Sequence, residues 1–375
     1  MSRRARSRRA HGRRVAVEAR GADALFAVYA TFYRGRPRLL APPDMERREF
    51  AVQPWGSSSY VRHLSFGTID ELLDYFYEKV PVHAYYSLAR YEIPSASSME
   101  EKGFEGADLM FDIDADHFPG CEGPLVSDDC IAMAAEAAWR LTRMAQSDLG
   151  ADEVMVYYTG NRGFHIVARC PGCEQLGRAE RREIAHYLSA VGLRVDLLFP
   201  LGRGLEPATP TPLDPGWRGK VGEWLHHRLG REPPARLGEA LRQAGLRPPL
   251  SAALQEAVRE LAIPLDLQVT QDTSRLLRIP GSLNGKTGLR VVLVRVGSLK
   301  RFRPRPSLSP ILGDAKVEAT ADFSVDSFLG EPLDLRVGRT YRVPAYVGVA
   351  LASRGLARLV EVIGDVELDA GWGPL

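Results

Sequence analysis

The chain has 375 residues, 45% of them apolar and 26% charged, and no apolar run approaches the roughly 18 residues of a membrane span. That composition excludes an integral membrane protein and a disordered chain, and at roughly 100–200 residues per unit it holds two or three units. Lys plus Arg is 49 against 47 for Asp plus Glu, but eight Arg fall within residues 1–20 against the single acid Glu18, so the rest of the chain is net acidic.

In chain order, residues 21–34 read as a short amphipathic helix ended by the breakers Gly35, Pro37, Pro42 and Pro43. Extended pieces follow as far as Pro94, around one clear helix over 69–79 that Thr68 caps and that carries Leu72, Leu73 and Phe76 at helical spacing. A strand is expected over 107–114. A hairpin is expected over 154–158 and 165–168, turning through Gly160-Asn161-Arg162-Gly163. Helical spacing fills 130–147 and 178–191. Pro207, Pro210, Pro212 and Pro215 then mark a change, and 220–229, 236–245 and 252–261 read as short helices of an insertion over 200–261. Strands are expected over 265–270, 276–279 and 289–294, and after residue 318 short strands lead to a final apolar helix near 346–362.

Chemistry concentrates in three segments. In Ala107-Asp-Leu-Met-Phe-Asp-Ile-Asp114, strand alternation puts Asp112 and Asp114 on one face, about 7 Å apart at Cα. Two carboxylates sharing a face repel unless a cation lies between them, and oxygen ligands suit Mg²⁺ or Mn²⁺; the bland alternative is one capping Asp and one solvated Asp. In Thr159-Gly-Asn-Arg-Gly-Phe-His165, the glycines let backbone N–H groups approach an anion while Arg162 and His165 add directed donors. This is no P-loop, and an ordinary glycine-rich hairpin is its bland reading. The third segment, 265–288, brings a strand-borne Asp266 and the basic residues Arg275, Arg278 and Lys286. Three carboxylates with two basic donor sets meet the needs of two-metal phosphoryl chemistry.

These segments, in this order, resemble the small catalytic subunit of archaeo-eukaryotic DNA primases, closest to the archaeal branch. Arg48-Glu-Phe-Ala51, Tyr60-Val-Arg-His-Leu-Ser-Phe66, Tyr85-Tyr-Ser87 with Tyr91-Glu92, and Met99 with Lys102-Gly103 resemble further family landmarks, so the likeness spans about residues 21–199 and 262–360. The resemblance implies an α+β prim-pol fold with an RRM-like unit. It divides the chain into an Arg-rich tail over 1–20, a catalytic domain over 21–199 and 262–375, and the helical insertion over 200–261. The tail is either a disordered phosphate-binding arm or an over-extended start.

By the same resemblance Asp112, Asp114 and Asp266 hold two Mg²⁺ or Mn²⁺ ions, Thr159, Arg162, His165 and Arg278 contact the triphosphate of the incoming nucleotide, and Glu49 and Arg62 lie beside the cleft. Asn161 stands where a second Arg is common, and Asn284 where a nucleotide-binding His is common. The implied activity is primer synthesis on single-stranded DNA from NTPs or dNTPs, alongside a large-subunit partner. The alternative is a prim-pol-type repair or gap-filling polymerase that extends existing primers. The family also commonly carries a zinc knob. Here His117, Cys121, Cys130, Cys170 and Cys173 leave three arrangements open: one structural zinc held by all four Cys, a site combining His117 with some of them, or a disulfide or free thiols. Four Cys in a chain of this length fit a reducing compartment, and the Arg-rich start lacks a small-residue cleavage site, so a cytoplasmic location without membrane attachment is expected.

Overall fold

A computed structural model describes residues 13–199, 207–247 and 249–369. The first part of the chain forms β1 (Arg14–Arg20), α1 (Ala24–Arg34), β2 (Phe50–Pro54), β3 (Val61–Leu64), α2 (Ile69–Lys79), β4 (Pro81–Ser87), β5 (Ala89–Tyr91) and β6 (Phe104–Ala107). Next come β7 (Leu109–Asp114), α3 (Asp128–Asp148), β8 (Glu153–Tyr158), β9 (Gly163–Arg169), α4 (Arg178–Leu188) and α5 (Val195–Leu198). Three helices follow, α6 (Gly216–Leu229), α7 (Leu237–Gln243) and α8 (Leu250–Leu261), then α9 (Leu267–Gln271), β10 (Leu276–Arg278) and β11 (Val292–Val294). The chain ends with β12 (Ile311–Ala319), β13 (Phe323–Phe328), β14 (Glu331–Leu335), β15 (Thr340–Pro344), α10 (Ala345–Ser353) and β16 (Ala357–Glu367).

The architecture is mixed α and β, and each four-stranded sheet is antiparallel. One sheet has the order β11-β8-β9-β7, a second β10-β4-β2-β3, and a third β1-β16-β12-β15. Local chemistry explains the main helices. Thr68 Oγ1 accepts from the Glu71 amide while Glu71 accepts from the Gly67 amide, which satisfies two donors at the start of α2. Ser127 Oγ does the same for α3 through the Cys130 amide at 3.2 Å. The buried stripe of α3, including Ile131, Ala134, Ala138 and Leu141, packs on β7, β8 and β9. Under the third sheet lies α10. It comes so close that a Cβ at Gly348 would stand 2.6 Å from that of Ala315.

Four expectations are corrected. Residues 14–20 are not a tail: β1 pairs with β16 from Arg14↔Glu367 to Arg20↔Glu361, because Val17 finds a buried place and its neighbours find acidic partners; residues 1–12 of that expected tail lie outside the described ones. Asp266 is not borne on a strand. Its side chain accepts from the Gln268 amide at 2.9 Å and so caps α9. The final apolar segment is not one helix, since α10 ends at Ser353 and Gly355, with φ +71°, turns the chain into β16.

The four Cys do not converge on one zinc either. Cys121 is joined to Cys130 and Cys170 to Cys173. The strands β7 and β9 are neighbours, but they run antiparallel, so the first pair follows the Asp114 end of the ladder and the second follows its Leu109 end. No group of three His, Cys, Asp or Glu residues stands ready to hold a metal among the described residues, so His117 gathers no zinc set either. Nor, among those residues, is any helix long and apolar enough to cross a membrane.

Candidate active site

A cleft of about 460 Å³ opens between the first and second sheets. The first sheet supplies Asp112 and Asp114 from β7, His165 from β9, and Thr159, Asn161 and Arg162 from the turn between β8 and β9. The second supplies Arg278 from β10, Tyr85 from β4 and Arg62 from β3, and the following loop adds Asn284 and Lys286.

Register explains the placements. Asp112 lies opposite His165 and Asp114 opposite Gly163. A Cβ at Gly163 would meet the Ile113 carbonyl at 2.2 Å and Asp114 Oδ1 at 2.3 Å, so only glycine lets the Asp114 carboxylate lie over that strand. Arg162 then reaches Asp114 Oδ2 with Nε at 3.1 Å and Asp116 Oδ2 with Nη1 at 2.8 Å.

Asp112 Oδ1 is buried without a hydrogen-bond partner. Burial, then Asp114 and Asp266, push the Asp112 carboxyl up to about 8, against the opposing pull of Arg275 and Arg278. Although His165 Nε2 stands 3.8 Å from Asp112 Oδ1, burial and then Arg278 and Arg275 push His165 down to about 3. The imidazole is therefore neutral, and the two do not form an ion pair. An oxygen-only donor set with an orphaned, buried carboxylate oxygen is the environment a hard divalent cation stabilises. Asp266 touches this set through its backbone, its amide donating to the Asp112 carbonyl at 3.2 Å. With its side chain capping α9, the three carboxylates do not close into one ligand group.

Not every expected residue faces the cleft. Glu49 is buried behind Arg62, whose Nε donates to Glu49 Oε1 at 2.9 Å, and Lys102 Nζ lies 3.5 Å from the other oxygen. Burial raises the Glu49 carboxyl, but Arg62, the His63 amide and Lys102 outweigh it and hold it below the usual range. Asn284 and Thr159 line the cleft with side chains already engaged. Asn284 Nδ2 donates to the Thr159 carbonyl at 2.8 Å and Thr159 Oγ1 to the Gly163 carbonyl at 3.0 Å. Thr287 Oγ1 donates to the Gly160 carbonyl, so the 284–288 loop and the 159–163 turn are fastened to one another.

Two residues, His83 and Arg354, escaped the sequence reading, and a third, Tyr85, entered it only as a landmark of the resemblance. His83 Nδ1 accepts from Arg278 Nη1 at 2.9 Å and from the Gly285 amide at 3.2 Å, and burial, then Arg278, Lys286 and Arg354, push it down to about 3. Tyr85, directly opposite Arg278 across the β4–β10 ladder, lies under its guanidinium at 4.8 Å. Arg354, at the end of α10, donates to Asn161 Oδ1 from behind the turn. Burial, then Arg162, push Arg354 down to about 10. The alternation of His83 and Tyr85 along one strand face was readable. Their partner on β10 was not.

Arg62, Arg162, Arg278 and Lys286 thus face two acidic carboxyls across a concave space, an arrangement suited to a polyphosphate bridged to a divalent cation. The family model described as DNA primase small subunit matches residues 111–296. The chain is 41% identical over 361 residues to the DNA primase small subunit PriS of Aeropyrum pernix, covering 96% of this chain and 100% of that one. It is 36% identical to that of Hyperthermus butylicus over 88% of this chain and 94% of the other, and 34% identical to that of Saccharolobus solfataricus over 85% and 90%. Among solved structures, the polymerase domain of Mycobacterium tuberculosis ligase D in complex with DNA aligns with 74% of this chain and 82% of its own at 12% identity and a TM-score of 0.35, a likeness too low to bear on the fold.

Proposed function

The chain belongs to the family of DNA primase small subunits, the catalytic nucleotidyltransferases of primer synthesis in DNA replication, and from that membership we propose how its cleft works. Single-stranded DNA is the template and nucleoside triphosphates are the substrates. Asp112 and Asp114 would hold Mg²⁺ or Mn²⁺, and Asp266, whose charge already acts on Asp112, would join them once its side chain leaves the Gln268 amide. The observation that carries this reading is the orphaned Asp112 oxygen beside Asp114 and directly across the ladder from His165. Such cations would supply a lowered pKa for the attacking 3′-hydroxyl and charge stabilisation for the departing pyrophosphate.

Arg162 and Arg278 neutralise the triphosphate where charge accumulates, and neutral His165 contributes a single N–H. Thr159 and Asn284 act mainly by shaping the turn, since their side chains already bond to it. Glu49 holds Arg62 in the cleft rather than touching the nucleotide. On this reading the mixed fold is a prim-pol fold with an RRM-like unit over 21–199 and 262–375, extended by β1 and interrupted by the helices of 200–261. A large subunit completes the enzyme.

Synthesis on an unprimed single strand with labelled nucleotides and Mg²⁺ or Mn²⁺ tests the proposal. Wild type yields product and Asp112→Asn yields about 10³-fold less; equal yields would refute it. A primed template in parallel separates initiation from extension alone.

A further inference from the structure

Residues 295–305 hold Arg295, Lys300, Arg301, Arg303 and Arg305 without one acid, and all five are exposed. The last three alternate with Phe302 and Pro304, both buried. Arg301 ends a 3-10 helix over Val296–Arg301, and beyond it Phe302 (φ −63°, ψ 128°) and Arg305 (φ −138°, ψ 154°) are extended. With Phe302 and Pro304 buried, Arg301, Arg303 and Arg305 are turned outward in one row. Beside them runs a cavity of about 400 Å³ that they line with Ser298 and Ser307. Among the described residues the five cations make one ion pair, Arg303 Nε with Asp129 at 3.9 Å, while Lys300 lies on the Trp139 ring.

The row is fastened to the catalytic hairpin. The Phe302 ring packs 5.3 Å from that of Tyr158 and 5.2 Å from that of Phe164, the residues flanking the 159–163 turn. Beyond the row, the Leu308 carbonyl accepts from the Arg290 amide, and the Arg290 backbone packs against Gly160. The positive row thus lies on the α3 side of the first sheet, behind the catalytic hairpin, since Phe164 and the cleft-facing His165 point to opposite faces of β9.

We propose that Arg301, Arg303 and Arg305 dock the sugar-phosphate backbone of the single-stranded DNA behind the catalytic hairpin. The partner follows from the chemistry. Exposed guanidinia with almost no protein acid to pair with suit a polyanion, and a single row suits one strand rather than the two backbones of a duplex. With Phe302 turned inward the row offers no exposed ring for a base, so it carries no sequence preference. The proposal rests on the reading that the template is single-stranded DNA, but its test needs no turnover.

Anisotropy of a labelled oligothymidine is measured against salt for wild type and for the triple variants Arg301→Ala/Arg303→Ala/Arg305→Ala and Arg301→Lys/Arg303→Lys/Arg305→Lys. The alanine variant should bind at least 10-fold more weakly at 0.1 M salt. Its slope of log affinity against log salt should be shallower by about 2, at ~0.7 for each phosphate that an arginine no longer neutralises. The lysine variant should recover most of both, and binding of a free nucleotide to the cleft should be unchanged in all three. Unchanged affinity and slope in the alanine variant overturn the proposal, as does a lysine variant no better than alanine. Loss confined to a duplex probe overturns the single-strand assignment. Failure of primer synthesis with intact oligothymidine binding would instead fault the reading of the cleft.

Discussion

Asp112 carries an electrostatic cost that its function requires. Its carboxyl, pushed up to about 8 by burial, Asp114 and Asp266, retains a proton that the unfolded chain gives up near pH 4. Between those values the folded state binds more protons than the unfolded one, so metal-free stability falls as pH rises from about 4 to about 8. Asp112→Asn removes that loss. Thermal melts without metal should show the variant more stable by about 1–3 kcal/mol at pH 8 and no different below pH 4, while nucleotide incorporation drops by about 10³-fold. Equal melting at pH 8 would show that the carboxylate carries no such strain. A second residue-scale prediction concerns His83, which accepts from Arg278 and from the loop bearing Lys286 and so sets two cations at once. His83→Leu keeps the volume and loses the acceptor. Its nucleotide KM should rise about 10-fold with kcat within threefold of wild type, and His83→Asn should recover most of the loss. A wild-type KM in the leucine variant would reduce His83 to core packing.

The ladder between β7 and β9 fixes the site at the next scale. Gly163→Ala forces a methyl against the Ile113 carbonyl and the Asp114 carboxylate. Melting should fall by an amount typical of overpacking, about 1–3 kcal/mol, and incorporation should be lost, whereas Gly297→Ala, which meets open space at ordinary φ, should change neither. The elements that sequence predicts well are those whose signals are local. The helix Ile69–Lys79 has its Thr68 cap and its apolar spacing, and the hairpin of β8 and β9 has its glycine turn. Errors arise where a local signal has two readings. The apolar run after Asp266 passes for a strand until the carboxylate is seen capping α9. The run after Tyr346 passes for one helix although Val360, Val362 and Ile363 favour a strand beyond Gly355. In the cleft, the motif residues of one hairpin were legible because they are contiguous. The support from Tyr85 and His83 to Arg278 spans nearly 200 positions and depends on a pairing that no local pattern encodes.

At the scale of the whole molecule, the Arg-rich beginning serves the fold as well as the charge balance. Arg20 Nε lies 2.6 Å from Glu361 and Arg14 Nη2 3.5 Å from Glu367, both on β16, while Arg13 donates to the carbonyls of Gly35 and Arg36 at the end of α1. The arginines from 13 to 20 therefore tie the beginning of the chain to its final strand, and Val17 is buried between them. Surface ion pairs of this kind contribute little individually; the larger effect is the ladder itself, seven residue pairs long, which covers the edge of β16. A chain begun at residue 21 should melt several degrees lower and aggregate more readily, because β16 would then present an open edge. A chain begun at residue 13, which keeps β1 whole, is the reference for that comparison. Since the catalytic cleft lies between the other two sheets, nucleotide incorporation by the shorter chain should persist below its melting temperature. Matched melting of the two truncated chains would show that β1 adds nothing to the sheet. Loss of incorporation at temperatures where the shorter chain remains folded would show that the third sheet bears on the cleft, and Arg354, which joins the end of α10 to Asn161, is the contact through which it would do so.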